Sequence, residues 1–260
     1  MRVSKRGSLA DRIEQIKKYI EQNEQVEVAE ISKLFQVSIA TARRDLDQLA
    51  EIGDIERIHG GARLVKKPPP EPPVQLRRSE QSEEKLSIAR ATAALIRSGE
   101  TILMAGGTTV CEVANQLKDR KDITVITNSM LVVEALSNNR DIHLVTLGGF
   151  FRHSEMLSYG HITEETLSQL YVDKVIFGVR AISLERGLTI DFLPELSTDR
   201  LILRKGKEII VVADYTKFNC ESTSLVGPLS SIHKIVTDDK APTGTIEAIR
   251  GMGIEVIVAT

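Results

Sequence analysis

The sequence predicts an α/β protein in two parts, a small helix-and-hairpin domain followed by a larger domain built on a mostly parallel sheet. Three observations predict it. Residues 28–62, VAEISKLFQVSIATARRDLDQLAEIGDIERIHGGA, read as two short amphipathic helices, a tight turn and a glycine-tipped hairpin, the layout of a winged helix-turn-helix. Beyond residue 100, short β-branched runs alternate with helical patterns, the mark of a parallel sheet with helical crossovers. Between the two, five of the eight prolines crowd into KKPPPEPP at 66–73, a composition that favours stiff extended chain. The expected domains are 1–65 and 80–260, joined by a linker over 66–79.

In the first domain, a helix from Leu9 to Gln22 places Leu9, Ile13, Ile16 and Ile20 on one face and completes a three-helix core. The next helix carries Val28, Ile31 and Phe35, and the one after it Ile39, Ala42, Leu46 and Leu49, so each has one stripe that must be buried. Ser38 stands where an N-cap belongs. At about 100° per residue, Arg44 projects opposite the buried stripe, flanked by Ala40, Thr41, Asp47 and Gln48, with Arg43 beside it. A helix that presents small, polar and basic groups outward can enter a major groove of duplex DNA and meet base edges with its first turns. Ile55 to Leu64 alternates around Gly60-Gly61, expected as a two-residue hairpin turn, which would set Arg57, His59 and Arg63 beside phosphates or a minor groove. Any one of these elements also fits an ordinary solvated surface; their succession is what points to DNA.

In the second domain the expected strands are TILMA at 101, ITVIT at 123, IHLVT at 142, KVIFGV at 174, EIIVVA at 208, HKIVT at 233 and IEVIVA at 254. Helices are expected over 87–96, 109–117, 129–136 and 243–252. Such sheets bind ligands beyond the carboxyl ends of their strands. There the chain places Gly106, Gly107, Thr108 and Thr109, then Asn128 and Ser129, then Gly149 and Arg152, then Arg180, and finally Asp214 and Lys217. Glycines at a strand-to-helix turn let backbone N–H groups approach an anion, hydroxyls add donors, and a helix N-terminus favours negative charge. Gly-Gly-Thr-Thr without a following Lys is not a P-loop, and the reading rests instead on the convergence of these groups at successive strand ends, which resembles a pocket for a phosphorylated small molecule.

The composition narrows the class. With 260 residues and 42% hydrophobic content the chain has enough apolar side chain for a sizeable core. No apolar run reaches membrane-spanning length and the start shows no secretion signal, so a cytoplasmic protein with no membrane partner is expected. The two cysteines, Cys111 and Cys220, are expected as reduced buried thiols, and the five histidines show no metal-ligand spacing, so neither metal nor cofactor is expected. Residues 1–67 hold thirteen Lys and Arg against eleven Asp and Glu. One such module makes few phosphate contacts, so a homodimer or homotetramer is expected.

The stretch VAEISKLFQVSIATARRDLDQLAEIGDIERIHGGARL, above all VS-x-x-TARRDL and RIHGGA, resembles the DNA-binding segment of the DeoR-type bacterial transcription regulators. The resemblance continues through GGTT at 106, TNS at 127, LGGFFR at 147, VDKVIFGV at 172, GLT at 187 and ADYTKF at 213, so it covers nearly the whole chain. It implies an effector domain similar in fold to ribose-5-phosphate isomerase, sensing a sugar phosphate or related metabolite. By that match Gly107, Thr108, Thr109, Asn128, Ser129 and Lys217 would cradle the phosphate. The chain departs from the pattern in three places. Ala105 stands where many relatives have an acid, Asp199 where a Lys follows the glutamate, here Glu195, and Arg180-Ala181 where a small residue precedes glycine. These changes fall at the sugar end of a ligand and point to an effector of different carbon skeleton or phosphate count.

The resulting expectation is a repressor of a carbohydrate catabolism operon that binds double-stranded operator DNA and answers to a phosphorylated metabolite. The alternative is a sugar-phosphate isomerase fused to a DNA-binding module. That chemistry needs a carboxylate base, for which Asp191, Glu195 and Asp214 are available, but a sensor needs no acid-base geometry at all.

Overall fold

The computed structural model describes residues 9–23, 25–52, 55–64 and 71–260, which fall into two compact units divided after Lys67. The N-terminal residues 1–8, with the basic Arg2, Lys5 and Arg6, and residues 66–70 of the proline-rich run lie outside the described residues.

The first unit runs α1 (Leu9–Asn23), β1 (Gln25–Glu27), α2 (Val28–Phe35), α3 (Ile39–Ile52), β2 (Ile55–Ile58) and β3 (Gly61–Leu64). Ile16, Ile20, Ile31, Leu46, Leu49 and Ile55 form its core, so the helical stripes meet as their spacing requires. Glu27 and Glu30 cap the start of α2 reciprocally, and Gln36 ends it in the left-handed region at φ 54. Ser38 Oγ accepts the Thr41 N–H at 3.1 Å, the expected N-cap of α3. The Arg12 guanidinium grips the buried Asp45 carboxylate at 2.7 and 3.0 Å, which ties α1 to α3 and fixes the latter's rotation.

Two expectations are corrected here. Periodicity places Ile39 in the buried stripe, yet it is 43% exposed, because it lies in the first turn of α3, before the helix passes over the core. The hairpin turn is His59-Gly60 and not Gly60-Gly61, since Ile58 pairs directly with Gly61. Gly60 supplies the positive φ, +82. Gly61 serves a different need: β3 also pairs with β1, a strand with no signal in the sequence, and a Cβ there would collide with the Val26 carbonyl oxygen.

The second unit comprises α4 (Val74–Arg77), α5 (Ser82–Ala93), β4 (Thr101–Met104), α6 (Thr108–Leu117), β5 (Ile123–Thr127), α7 (Met130–Leu136), β6 (Ile142–Thr146), β7 (Phe150–Arg152), β8 (Leu157–Tyr159), α8 (His161–Ser168), β9 (Val172–Gly178), β10 (Ala181–Ser183), β11 (Gly187–Ile190), α9 (Leu196–Ile202), β12 (Gly206–Val212), β13 (Ser224–Gly227), β14 (Lys234–Asp238), α10 (Thr243–Gly251) and β15 (Glu255–Ala259). All seven expected strands form one parallel sheet in the order β15-β14-β12-β9-β4-β5-β6. Alternate side chains point to opposite faces. Ile102, Met104, Ile176, Ile210 and Val212 meet α5, α6 and α7, whereas Leu103, Val175, Phe177, Ile209 and Val211 meet α8, α9, α10 and a small antiparallel sheet, β10-β11-β13. That small sheet, the β7-β8 hairpin, α8 and α9 are absent from the expected elements; each is short, and three-residue strands carry no readable alternation.

The chain builds β4, β5 and β6 outward in one direction, then returns beside β4 with β9 and builds β12, β14 and β15 in the other. The strand order therefore reverses between β4 and β9, where the loops leaving their carboxyl ends diverge and open a crevice.

The linker expected over 66–79 is also corrected in its described part. Residues 71–79 pack onto the second unit: Val74 is fully buried, its N–H donates to the Ser154 carbonyl at 2.7 Å, and Arg77 is buried among carboxylates. Pro73 is extended, at φ −48 and ψ 142, but one apolar side chain and one arginine anchor the short helix that begins after it.

Candidate functional site

The candidate reading surface is α3 with the wing. Ser38, Ala40, Arg43, Arg44 and Gln48 are exposed on α3, Thr41 is half-buried with its Oγ1 2.9 Å from Ser38 Oγ, and Asp47 is exposed. Ile39 joins this surface as an apolar member. Arg57, from β2, lies along α3 with its Nε 3.0 Å from Asp47 Oδ1, and His59 is at the wing tip. Arg63 does not belong to the surface. It is 9% exposed and its guanidinium is held by Glu56 across the β2-β3 ladder at 2.6 Å, so the expected phosphate contact is corrected to a buried ion pair.

In the second unit a cavity of about 490 Å³ opens at the β4-β9 reversal. Gly106 and Gly107 leave β4 and lead into α6, whose first N–H groups have no helical acceptor. Gly107 is required by its backbone conformation, whereas at Gly106 a side chain would have to displace the tip of Leu157. A Cβ on Gly106 would stand 2.5 Å from Leu157 Cδ2, and Gly107 sits at φ +116. Opposite, Gly178 ends β9, and a Cβ there would come within 2.8 Å of the Gly106 carbonyl oxygen. Thr108 and Thr109 line the cavity, as do Arg152, Arg180, Glu195 and Lys217.

The walls are strongly charged. Arg152 Nη1 donates to Glu195 at 2.6 Å, its Nε to Ser154 at 3.2 Å, and its guanidinium stacks 4.2 Å from the Phe192 ring. Arg180 lies 3.1 Å from Asp191 and 3.7 Å from Glu71, and Arg77 bridges Glu71 at 2.6 Å and Glu155. Burial pushes the Glu195 carboxyl up, with Arg152 pulling it partly back, and burial likewise raises Glu155 against the pull of Arg77. Asp199 is raised furthest, by burial first and by neighbouring Glu195 second. Lys217 is held in place by a short helical turn over Tyr215–Lys217 that Asp214 caps, its Oδ1 accepting the Thr216 N–H at 3.0 Å.

Against models of known families, residues 12–68 match the DeoR-like helix-turn-helix domain and residues 80–239 the DeoR C terminal sensor domain. The chain belongs to the DeoR family. It is therefore a DNA-binding transcription regulator. It is 33% identical to the transcriptional repressor AccR of Agrobacterium fabrum over 91% of this chain and 92% of that one. It is likewise 33% identical to a putative aga operon transcriptional repressor of Escherichia coli O157:H7, over 96% and 93%. The glycerol-3-phosphate regulon repressor of Escherichia coli is 30% identical over 88% and 91%. These relatives carry the names of repressors and not of enzymes. Among solved structures, ribose 5-phosphate isomerase A of Methanocaldococcus jannaschii aligns with 54% of this chain and 55% of that one, at 18% identity and a TM-score of 0.40.

Four residues of this DeoR-family regulator expected at the effector site do not line the cavity. Asn128 and Ser129 follow β5, one strand beyond the reversal, and β8 covers that strand end: the Ser158 N–H donates to the Asn128 carbonyl at 2.8 Å, and Asn128 Nδ2 donates to the Ser158 carbonyl at 2.8 Å. Gly149 lies at the turn into β7, where a Cβ would strike Thr163 and the Tyr159 carbonyl. Asp214 stands behind Lys217 as its cap. Conversely, Glu71, Arg77, Glu155 and Phe192 line the cavity although no sequence pattern marks them. Glu71 and Arg77 lie hidden in and just after the proline-rich stretch, and the Arg77 to Glu155 bridge joins positions 78 residues apart, a separation that no local pattern signals.

Proposed function

We propose that this DeoR-family regulator is a repressor of an operon for carbohydrate handling, and that a phosphorylated sugar or related anionic metabolite bound in the β4-β9 cavity controls its hold on the operator. The names of the relatives that act on an aga operon and a glycerol-3-phosphate regulon support the first half. One observation carries the second: the glycine turn, the uncapped N–H groups of α6 and the Lys217 ammonium all face one cavity at the strand reversal. Arg43, Arg44 and Gln48 read or grip the major groove, Ile39 and Ala40 offer apolar contact to thymine methyls, and Arg57 and His59 meet the backbone. A dimer or tetramer presents two readers to half-sites one or more DNA turns apart, about 10 to 10.5 bp each.

The segment over 71–77 suggests how the signal leaves the cavity. It lies just past the junction between the units, and its Glu71 and Arg77 are part of the cavity wall. A ligand that recruits Arg180 or Arg77 competes with Glu71 for them and so acts on the chain that leads to the reader.

The test uses two variants of the full chain. Arg44→Ala abolishes sequence-preferring operator binding and leaves thermal stabilisation by phosphorylated sugars intact. Lys217→Ala does the reverse, removing a charge-assisted contact of about 1.5 to 3 kcal/mol. Loss of both functions in both variants would overturn the division of labour.

A further inference from the structure

The charged side chains of the cavity wall can be paired off almost completely. Glu71 pairs with Arg77 and approaches Arg180, Arg77 also takes Glu155, Arg152 takes Glu195, and Arg180 takes Asp191. Two remain. Neither the Lys217 ammonium nor the Asp199 carboxylate forms an ion pair or side-chain hydrogen bond with any described residue, and they do not pair with each other.

Asp199 is the more unusual of the two. It is only 6% exposed, sits in the middle of α9, and its carboxylate opens onto the cavity. A carboxylate drawn mostly out of bulk water, open only to a cavity and given no partner by the protein, favours a proton or a cation in that cavity. The upward push on its proton affinity from burial and Glu195, only partly offset by Arg152, describes the same unmet demand. Nothing structural consumes it: the hydrogen bonds that seat α9 on α8 come from its neighbours Ser197 and Thr198, which both donate to Glu164.

One cavity of sugar size thus carries one uncommitted cation, beside the amides of α6, and one uncommitted anion. Ligands complementary to both bear charges of both signs. We propose that the effector is a phosphorylated amine, such as an amino sugar phosphate, with its phosphate on the first turn of α6 and Lys217 and its amino group on Asp199. This rests on the reading of the cavity as a phosphate-ester site.

Calorimetric titration of the full chain with matched pairs decides it: glucosamine 6-phosphate against glucose 6-phosphate, and galactosamine 6-phosphate against galactose 6-phosphate, with inorganic phosphate and free glucosamine as controls. The amino member of at least one pair binds about tenfold or more tighter than its hydroxyl partner, as a charge-assisted contact requires. Asp199→Asn, nearly isosteric, erases that preference, and Asp199→Ser serves as a second variant should the amide disturb α9. Lys217→Ala weakens both members of the pair by the same factor. Equal or tighter binding of the hydroxyl members, or a preference that survives both Asp199 variants, would overturn the proposal and leave the phosphate reading standing. If no phosphorylated compound and no inorganic phosphate binds, the phosphate reading falls, and the proposal with it.

Discussion

Lys217 and Asp199 show how a single side chain acquires its role from what its neighbours have already taken. Every arginine around the cavity is committed to a carboxylate, and Arg152 is held on three sides at once. Burial raises Asp199 well above its ordinary value of 3.8, and raises Glu195 and Glu155 as well. A carboxyl that holds its proton more tightly when folded favours the folded state at low pH, and that contribution is lost as pH rises through the folded pKa. The ligand-free protein is therefore expected to lose stability from about pH 4 upward on account of these groups. Asp199→Asn, which stays neutral throughout, flattens that slope and raises the unfolding midpoint at about pH 8 relative to wild type. Thermal unfolding of both chains across the range checks it, and a variant as steep as the wild type and no more stable at high pH would count against an uncommitted Asp199.

As an element, the proposed reader α3 is fixed at its start, on its inner face and from the wing. Ser38 caps it, Arg12 holds Asp45 beneath it, and Arg57 from the wing lies against Asp47. The wing itself depends on two adjacent glycines for different reasons. Gly60 has open space around it but a positive φ, so Gly60→Ala costs about 1 kcal/mol through the backbone. At Gly61 the obstacle is the Val26 carbonyl, so Gly61→Ala must push β1 off β3, at about 1 to 3 kcal/mol. Hydrogen exchange on the full chain should show faster exchange of the β1 and β3 amides in Gly61→Ala but not in Gly60→Ala, together with weaker operator binding. Equal effects of the two substitutions would contradict the three-stranded wing.

At the scale of the whole molecule the stretch over 71–77 matters most, because it lines the cavity proposed for the effector and follows closely in sequence on the division between the two units. Glu71 pairs within this stretch with Arg77 and reaches Arg180 on the opposite wall, while Arg77 holds Glu155. Allosteric coupling between sites of this kind amounts to about 1 to 3 kcal/mol, or roughly 5- to 150-fold in affinity. Glu71→Gln removes the charge that competes with the ligand for Arg77 and Arg180. The ratio of operator affinities with and without effector should then fall toward one, measured by fluorescence anisotropy on labelled operator. A ratio unchanged from wild type would place the transmission elsewhere.

Much of this protein could be read from periodicity. The seven sheet strands, the helix pair with its Ser38 cap and the glycine turn at Gly106-Gly107 are local patterns, because burial of one face or both imposes a repeat of two, of 3.6 or an unbroken apolar run on the residues themselves. Strand order leaves no such mark. Only the folded sheet reveals that the reversal falls between β4 and β9, which puts Lys217 and Asp199 into one cavity and leaves Asn128 and Ser129 outside it under β8. Ion pairing is equally invisible along the chain: Arg57 and Arg63 look alike in sequence, yet Glu56 claims one and leaves the other on the reading surface. Propensity and periodicity are local and so are written in neighbouring residues, whereas pairing and enclosure depend on residues far apart in sequence, which only the closed fold brings together.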